Sequence, residues 1–235
     1  KMLELSIIVP TFNEEEQIEK TVHSLYADLK KINPKPELLV IDDSTDGTYK
    51  ILQKLMNQYK ILKVIHRIGK KGVGSAIRLG IKKAKGKFVI IFMADAPDDS
   101  KHVPEMLNKL REGYDLVQTS RFLKGCKIVG YLFKKRIGNW LCNNFIKVAF
   151  LEFELKDFSS LFKGFNKKKI EALNLEANEF DLGLEVVLKA MRKKYRIIEV
   201  PVNWVERQKG KSKLKLSRYA KHYFKRVISI WLNYW

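Results

Sequence analysis

Short, largely apolar runs alternate along this chain with longer segments whose apolar residues recur at helical spacing. In the N-terminal half the short runs are Leu5–Pro10, Glu37–Ile41, Ile61–His66 and Phe88–Met93. Runs of this length, rich in β-branched and aromatic residues, predict strands buried on both faces. Pro10 is expected to close the first of them. Between the runs, Glu14–Lys30 carries Ile18, Val22, Leu25 and Leu29 on one stripe, and the segment after Thr48 carries Ile51, Leu52, Leu55 and Tyr59. Thr11 or Asn13 is the expected cap of the first helix. A third helix opens on Gly72-Val73-Gly74 and stops at Gly86. Beyond the fourth run the pattern predicts a helix over His102–Arg111, a strand over Tyr114–Ser120 and a long helix over about Val129–Phe153. A strand over Phe158–Phe165, a helix over Leu182–Lys194, a strand over Arg196–Val202 and a last helix from Ser217 complete it. Strand–helix alternation of this kind predicts an α/β fold, a mostly parallel central sheet flanked by helices.

Each early strand ends in polar residues: Asn13-Glu14, Asp42-Asp43, Arg67, and then Asp95, Asp98 and Asp99 around Pro97. In open α/β sheets, ligands bind at the carboxyl ends of strands. Clustered carboxylates there suit a hard divalent cation, Mg2+ or Mn2+, that also holds phosphates. The plainer alternative is an acidic loop capping the helix near His102. Gly72-Val73-Gly74 follows the third strand, not the first, and no glycine stands three residues after Gly74. A dinucleotide fingerprint is therefore disfavoured. The glycines instead allow a tight loop-to-helix junction, beside a phosphate or as a simple turn.

Charge changes the picture. The 46 Lys and Arg against 26 Asp and Glu leave a formal net charge of +20, which implies a polyanionic partner: nucleic acid, an anionic membrane or phosphorylated substrates. The two cysteines, Cys126 and Cys142, form no metal or disulfide pattern, so a reducing compartment is expected. The start shows no signal-peptide pattern, and no apolar run reaches the roughly 18 residues that span a bilayer. After Glu206 the charged residues are all basic, and Ala220, Tyr223, Phe224, Val227, Ile228 and Trp231 share one face of the last helix. That profile predicts an interfacial helix on anionic lipid; the alternative is a helix docked on the domain with a solvated basic face. In the helix over about 129–153, Lys134, Lys135, Arg136 and Lys147 interleave with Trp140 and Phe145, which fits either core or interface. Two parts are expected: a catalytic domain over 1–206, and a basic acceptor loop with a membrane-interface helix over 207–235.

Five motifs carry a resemblance: Val9-Pro10-Thr11-Phe12-Asn13-Glu14, Val40 to Thr48, Gly72 to Ala76, Ser120-Arg121-Phe122, and Glu199-Val200-Pro201-Val202 followed by Arg207 to Lys213. Together and in this order the chain resembles GT-A fold, family 2 glycosyltransferases, within them the dolichyl-phosphate mannose synthase-like, polyprenyl-phosphate group. The resemblance implies that Pro10, Thr11, Glu14, Asp42 and Asp43 hold the nucleotide base and ribose. Arg67 and Gly72, on the same rim, complete the expected nucleotide-binding set. It implies metal ligation by Asp95 with Asp98 or Asp99, although Met93 stands where the family usually has its first aspartate. Arg207, Lys211, Ser212 and Lys213 are the expected acceptor-phosphate ligands, and Asp95, Arg121, Asp157 and Arg207 the expected catalytic set. The implied reaction is inverting transfer of a hexose, mannose or glucose, from a GDP- or UDP-sugar to a polyprenyl or dolichyl phosphate. The protein would lie at the cytoplasmic face of a membrane, peripheral or monotopic, with no nucleic-acid partner. Two alternatives stand beside it. One is a family 2 transferase with a polysaccharide or protein acceptor, for which Glu185 or Asp157 would be the base. The other is a basic nucleic-acid-binding protein, for which no binding motif is found.

Overall fold

The computed structural model describes residues 3–69, 71–94, 99–130, 133–205 and 216–232. Its first half repeats strand and helix: β1 (Leu5–Thr11), α1 (Ile18–Leu29), β2 (Glu37–Asp42), α2 (Thr48–Gln58), β3 (Leu62–His66), α3 (Val73–Lys83), β4 (Phe88–Ile91) and α4 (His102–Arg111). The second half is β5 (Leu116–Ser120), β6 (Ile128–Val129), α5 (Phe133–Phe150), β7 (Lys163–Asn166), α6 (Lys167–Glu171), α7 (Leu182–Arg192), β8 (Ile197–Pro201), β9 (Trp204–Val205) and α8 (Leu216–Trp231). Seven strands form one sheet in the order β3–β2–β1–β4–β7–β5–β8, with β4 in the middle. Only β7 is reversed within this sheet, pairing antiparallel with both β4 and β5. The remaining pair, β6 and β9, forms a small separate ladder.

Two hydrophobic layers sandwich the sheet. On one face Ile18, Val22, Leu25 and Leu29 of α1 pack with Leu52 and Leu55 of α2 and with Val103, Met106, Leu107 and Leu110 of α4. The other face takes Ile77 and Ile81 of α3, Ile146 and Phe150 of α5, the apolar residues of α7, and Val227 and Ile230 of α8. The burial of whole strands β1, β2 and β4 explains their largely apolar runs. At the sheet's amino-terminal rim, Glu37 accepts from Ser6 Oγ at 2.7 Å, Lys63 Nζ at 2.7 Å and Lys85 N–H at 2.6 Å. This pins β1, β2, β3 and the α3–β4 turn together, away from the opposite rim.

Several expectations change: the strand expected over Phe158–Phe165 is confined to Lys163–Asn166, and the helix expected over about Val129–Phe153 spans Phe133–Phe150, with Val129 in β6 instead. Pro10 does not close β1; it lies inside the strand, opposite Ile41. The Ile8 carbonyl accepts from Phe92 N–H, so this parity of β1 faces β4, and the β1–β4 ladder ends at Ile8 and Ile91. The donor that Pro10 lacks would point past that end, where no ladder bond is lost. Nor does Thr11 or Asn13 cap α1. The helix begins at Ile18 after Gln17, and Asn13 has φ 52°, a left-handed conformation, with its side chain turned to the loop after β2.

Candidate active site

Parallel pairing puts the carboxyl ends of β1, β2, β3, β4, β5 and β8 on one rim, and the reversed β7 brings its amino end there too. The expected nucleotide-binding residues Pro10, Thr11, Glu14, Asp42, Asp43, Arg67 and Gly72 occupy the β1–β3 half of this rim. Loops after β1 and β2 are stitched together: Asn13 N–H donates to Ser44 Oγ at 2.8 Å, Thr45 N–H to Asn13 Oδ1 at 2.8 Å, and Glu14 N–H to Thr48 Oγ1 at 3.0 Å. Asp42 is fully buried; its Oδ1 accepts from Ser44 Oγ at 2.5 Å, and its Oδ2 lies 2.7 Å from His66 Nδ1. His66 in turn stacks on Tyr49 with ring centroids 4.2 Å apart. Arg67 grips Asp43 with two bonds, Nε to Oδ1 and Nη2 to Oδ2, both 2.5 Å, and its Nη1 donates to Ser75 Oγ at 2.9 Å. Such planar two-point pairing fixes both side chains in orientation as well as in distance.

Gly72 forms the tight junction the sequence implies. Its φ of 86° suits glycine, and a Cβ there would stand 2.2 Å from the Asn178 carbonyl oxygen. The amides of Gly74 and Ser75, at the start of α3, donate to that same carbonyl at 2.9 and 3.2 Å. The junction is thus explained by close approach of the 177–179 segment. That segment is held by Glu185 of α7, fully buried, which accepts from Glu176 N–H, Ala177 N–H at 2.8 Å and Lys189 Nζ at 2.6 Å. Glu185 therefore anchors a loop, and its carboxylate is not presented as a base to an acceptor hydroxyl.

Of the three expected metal ligands, Asp95 and Asp98 lie outside the described residues, and Asp99 pairs with Lys101 Nζ at 2.7 Å. Asp99 Oδ1 also accepts from Lys101 N–H at 3.1 Å and its carbonyl accepts from His102 N–H at 3.1 Å, but no side chain caps α4, whose cap position is Lys101. Both stems of this segment are tied to α1. Thr21 Oγ1 donates to the Ala94 carbonyl at 3.0 Å, and Ser100 Oγ donates to Asp28 Oδ2 at 2.7 Å. Among the described residues no three His, Cys, Asp or Glu side chains come together as a metal site. The donor chemistry at the β4 end, carboxylate oxygens alone, fits a hard cation.

The other half of the rim belongs to Arg121 and Asp157. Asp157 is fully buried and accepts from Arg121 Nε at 2.7 Å and Nη2 at 3.0 Å. Burial pushes the Asp157 carboxyl upward, but the Arg121 guanidinium, together with Lys163 and the Ser159 hydroxyl, holds the group below its usual range. Beneath them lie residues to which the sequence assigned no role, although Glu199 opens one of the five motifs that carry the resemblance. Lys163 of β7, Gln118 of β5 and Glu199 of β8 are register partners across three strands. Lys163 Nζ donates to Gln118 Oε1 at 2.5 Å, and Gln118 Nε2 to Glu199 Oε1 at 3.0 Å. Burial lowers the Lys163 pKa to about 8, against the pull of Asp157 and Glu199. A charged or amide residue within a largely apolar stretch, Gln118 in the middle of β5, Glu199 in the middle of β8 and Lys163 at the start of β7, was the available signal.

Arg207, Lys211, Ser212 and Lys213, the expected acceptor-phosphate ligands, lie outside the described residues. The helix that follows them, α8, docks on the domain. Arg226 Nε donates to Asp181 Oδ2 at 3.1 Å, Tyr223 Oη to the Phe180 carbonyl at 3.2 Å, and Trp231 Nε1 to the Ala149 carbonyl at 2.9 Å. Phe224, Ile228, Trp231 and Leu232 nevertheless stay exposed, as do Trp140, Leu141, Phe145 and Val148 of α5. Phe145 and Phe224 meet at 6.1 Å between centroids, so the two helices share one exposed apolar face. Among the described residues no helix is long and apolar enough to cross a membrane.

Comparison with known proteins agrees with this architecture. The dolichol-phosphate mannosyltransferase of Pyrococcus furiosus is 29% identical over 228 residues, covering 95% of this chain and 63% of that protein. This chain thus spans less than two thirds of that relative's length. The undecaprenyl-phosphate mannosyltransferase of Micrococcus luteus is 30% identical over 216 residues, covering 88% of this chain and 86% of that protein. Glucosyl-3-phosphoglycerate synthase from Mycobacterium tuberculosis, solved with Mn2+ and uridine diphosphate, has the same fold: TM-score 0.75 at 17% identity, over 97% of this chain and 80% of that one. The family model described as glycosyl transferase family 2 matches residues 6–173, so the chain belongs to that family.

Proposed function

We propose that this protein transfers a hexose from a nucleoside-diphosphate sugar to a polyprenyl phosphate at a membrane surface. The observation that carries the reading is the division of one rim into two ends. The β1–β3 end offers buried, oriented polar groups, Asp42 with His66 and Asp43 with Arg67. The β5–β8 end offers the Arg121 guanidinium and leads into the basic segment 206–215. Both mannosyltransferase relatives are named for polyprenyl-type phosphate acceptors, which supports the same acceptor class here and mannose as the hexose.

In this reading Thr11, Glu14, Asp42 and Asp43 hold the base and ribose, with Arg67 fixing Asp43. Asp95 with Asp98 or Asp99 would hold Mg2+ or Mn2+, which when bound neutralises charge on the diphosphate. Arg121 and the cations Arg207, Lys211 and Lys213 bring the acceptor phosphate against the sugar. A phosphate acceptor is already an anion at neutral pH, so it needs positioning and charge stabilisation and no strong base. The state of the candidate bases favours it over a hydroxyl acceptor: Asp157 is committed to Arg121, and Glu185 to backbone amides and Lys189. The exposed apolar face of α5 and α8, on a chain of net charge +20, fits a peripheral position on anionic lipid. The free thiols of Cys126 and Cys142 suit the reducing, cytoplasmic side.

Nucleotide binding tests the donor half. GDP or UDP with Mn2+ or Mg2+ should raise the melting temperature by mass action. Asp43→Ala strands a buried guanidinium, so it should cost about 3 kcal/mol of stability and abolish the nucleotide-induced shift. Wild-type protein unmoved by both nucleotides would contradict the assignment.

A further inference from the structure

Glu199 stands two residues short of the end of β8 and is not at the rim itself. Its carboxylate reaches across to the segment before β7. Oε2 accepts from Lys156 N–H at 2.9 Å, and Oε1 accepts from Asp157 N–H at 2.9 Å. The next amide, Phe158 N–H, donates to Asn143 Oδ1 of α5 at 3.3 Å. Consecutive peptide groups are thus held from two sides, and the Asp157 side chain between them receives both Arg121 bonds. Ser159 Oγ adds a third point, accepting from Arg121 Nη2 at 2.9 Å.

The carboxylate that does this holding is itself held. Gln118 donates its amide to Glu199 and accepts from Lys163 with its oxygen, an orientation that serves both neighbours. Register pairing of β7, β5 and β8 sets the three side chains in one row, so the strand ladders determine where Glu199 ends. Burial raises the Glu199 pKa, while the two amides and Gln118 pull it down. A carboxylate placed in such a row is costly unless its acceptor sites are filled, and the 156–157 amides fill them.

We propose that Glu199 is a positioning residue for Arg121, acting through the 156–157 backbone and the Asp157 carboxylate. The proposal rests on the reading of this rim as the transfer site. Loss of one acceptor site at Glu199 would let the 156–159 segment shift, and the guanidinium with it. Displacements of about 1 Å in positioning groups are enough to slow a reaction by up to about 100-fold.

The test is Glu199→Gln, alone and with Arg121→Ala, assayed for sugar transfer from the nucleotide sugar to polyprenyl phosphate. E199Q should lower kcat by roughly 10- to 100-fold and leave the donor KM unchanged. In the Arg121→Ala background the same change should have no further effect, because the residue it positions is gone. A wild-type kcat in E199Q, or effects that multiply in the double variant, would overturn the proposal. Amide hydrogen exchange reads the clamp without any turnover: E199Q should speed exchange at residues 156–159 only, and unchanged exchange there would refute the clamp. If wild-type protein shows no transfer, the functional reading fails while exchange still decides the clamp. Should E199Q lose its fold, Glu199→Asp, which keeps the charge and shortens the reach, carries the same cycle and the same exchange measurement.

Discussion

Lys163 has no solvent exposure, and burial lowers its pKa to about 8 from the ordinary 10.5. The sign of the consequence follows from linkage. Below about 8 both folded and unfolded chains hold the proton; between about 8 and 10.5 only the unfolded chain does. Stability contributed by this group therefore rises with pH across that window. Against Lys163→Met, the wild-type protein should gain unfolding free energy between about pH 8 and pH 10.5 and show a constant difference below it. Urea unfolding at three pH values checks this, and a difference that stays flat throughout would mean the ammonium is not held at a depressed pKa. At this scale the sequence was partly readable. Asp42, Asp43 and Arg67 stood out because charged residues follow apolar runs. Lys163 and Gln118 did not, and Glu199 did so only as part of a motif without a role, because each is a single polar residue inside a run. Their meeting depends on register between strands 45 and 81 residues apart, which no local pattern encodes.

Helix α8 shows what an element's pattern does and does not tell. Its apolar face was plain in the sequence, as was its basic remainder. The structure divides that face: Val227 and Ile230 are buried against the domain, whereas Phe224, Ile228 and Trp231 remain outward beside α5. One side of the helix is docked on the domain, and the outward side carries the apolar residues on which the interfacial alternative rests. Helical periodicity reports one stripe and cannot say that two partners share it. The outward aromatic residues, combined with the net charge, predict binding to anionic vesicles. Triple replacement of Trp140, Phe145 and Trp231 by Ser should abolish flotation with phosphatidylserine-containing liposomes, while the nucleotide-induced thermal shift persists. Flotation undiminished in the triple variant would move the membrane contact elsewhere. Burial of these side chains against lipid is worth about 25 cal/mol per Å2, so each large aromatic residue matters.

For the whole molecule, alternation of strands and helices announced the α/β sheet, and polar residues at the strand ends announced its polar rim. The direction of β7 was not announced. A strand's sense depends on which neighbours it finds, and β7 inserts between β4 and β5, both of which run the other way. That insertion brings the amino end of β7, and with it Asp157, Ser159 and Ser160, to the rim where the other strands finish. One sheet thereby presents the Asp42, Asp43 and Arg67 cluster and the Arg121–Asp157 pair on either side of β4, the two ends that the proposed function assigns to donor and acceptor. The central claim is that a sugar crosses between them. It is tested most directly by incubating the protein with radiolabelled GDP-mannose or UDP-glucose, polyprenyl phosphate and Mn2+, and extracting with organic solvent. The account predicts label in the lipid phase with wild-type protein and none with Asp95→Ala. Lipid-phase label that persists undiminished in Asp95→Ala, or its absence from wild-type protein that binds both nucleotide and vesicles, would contradict it.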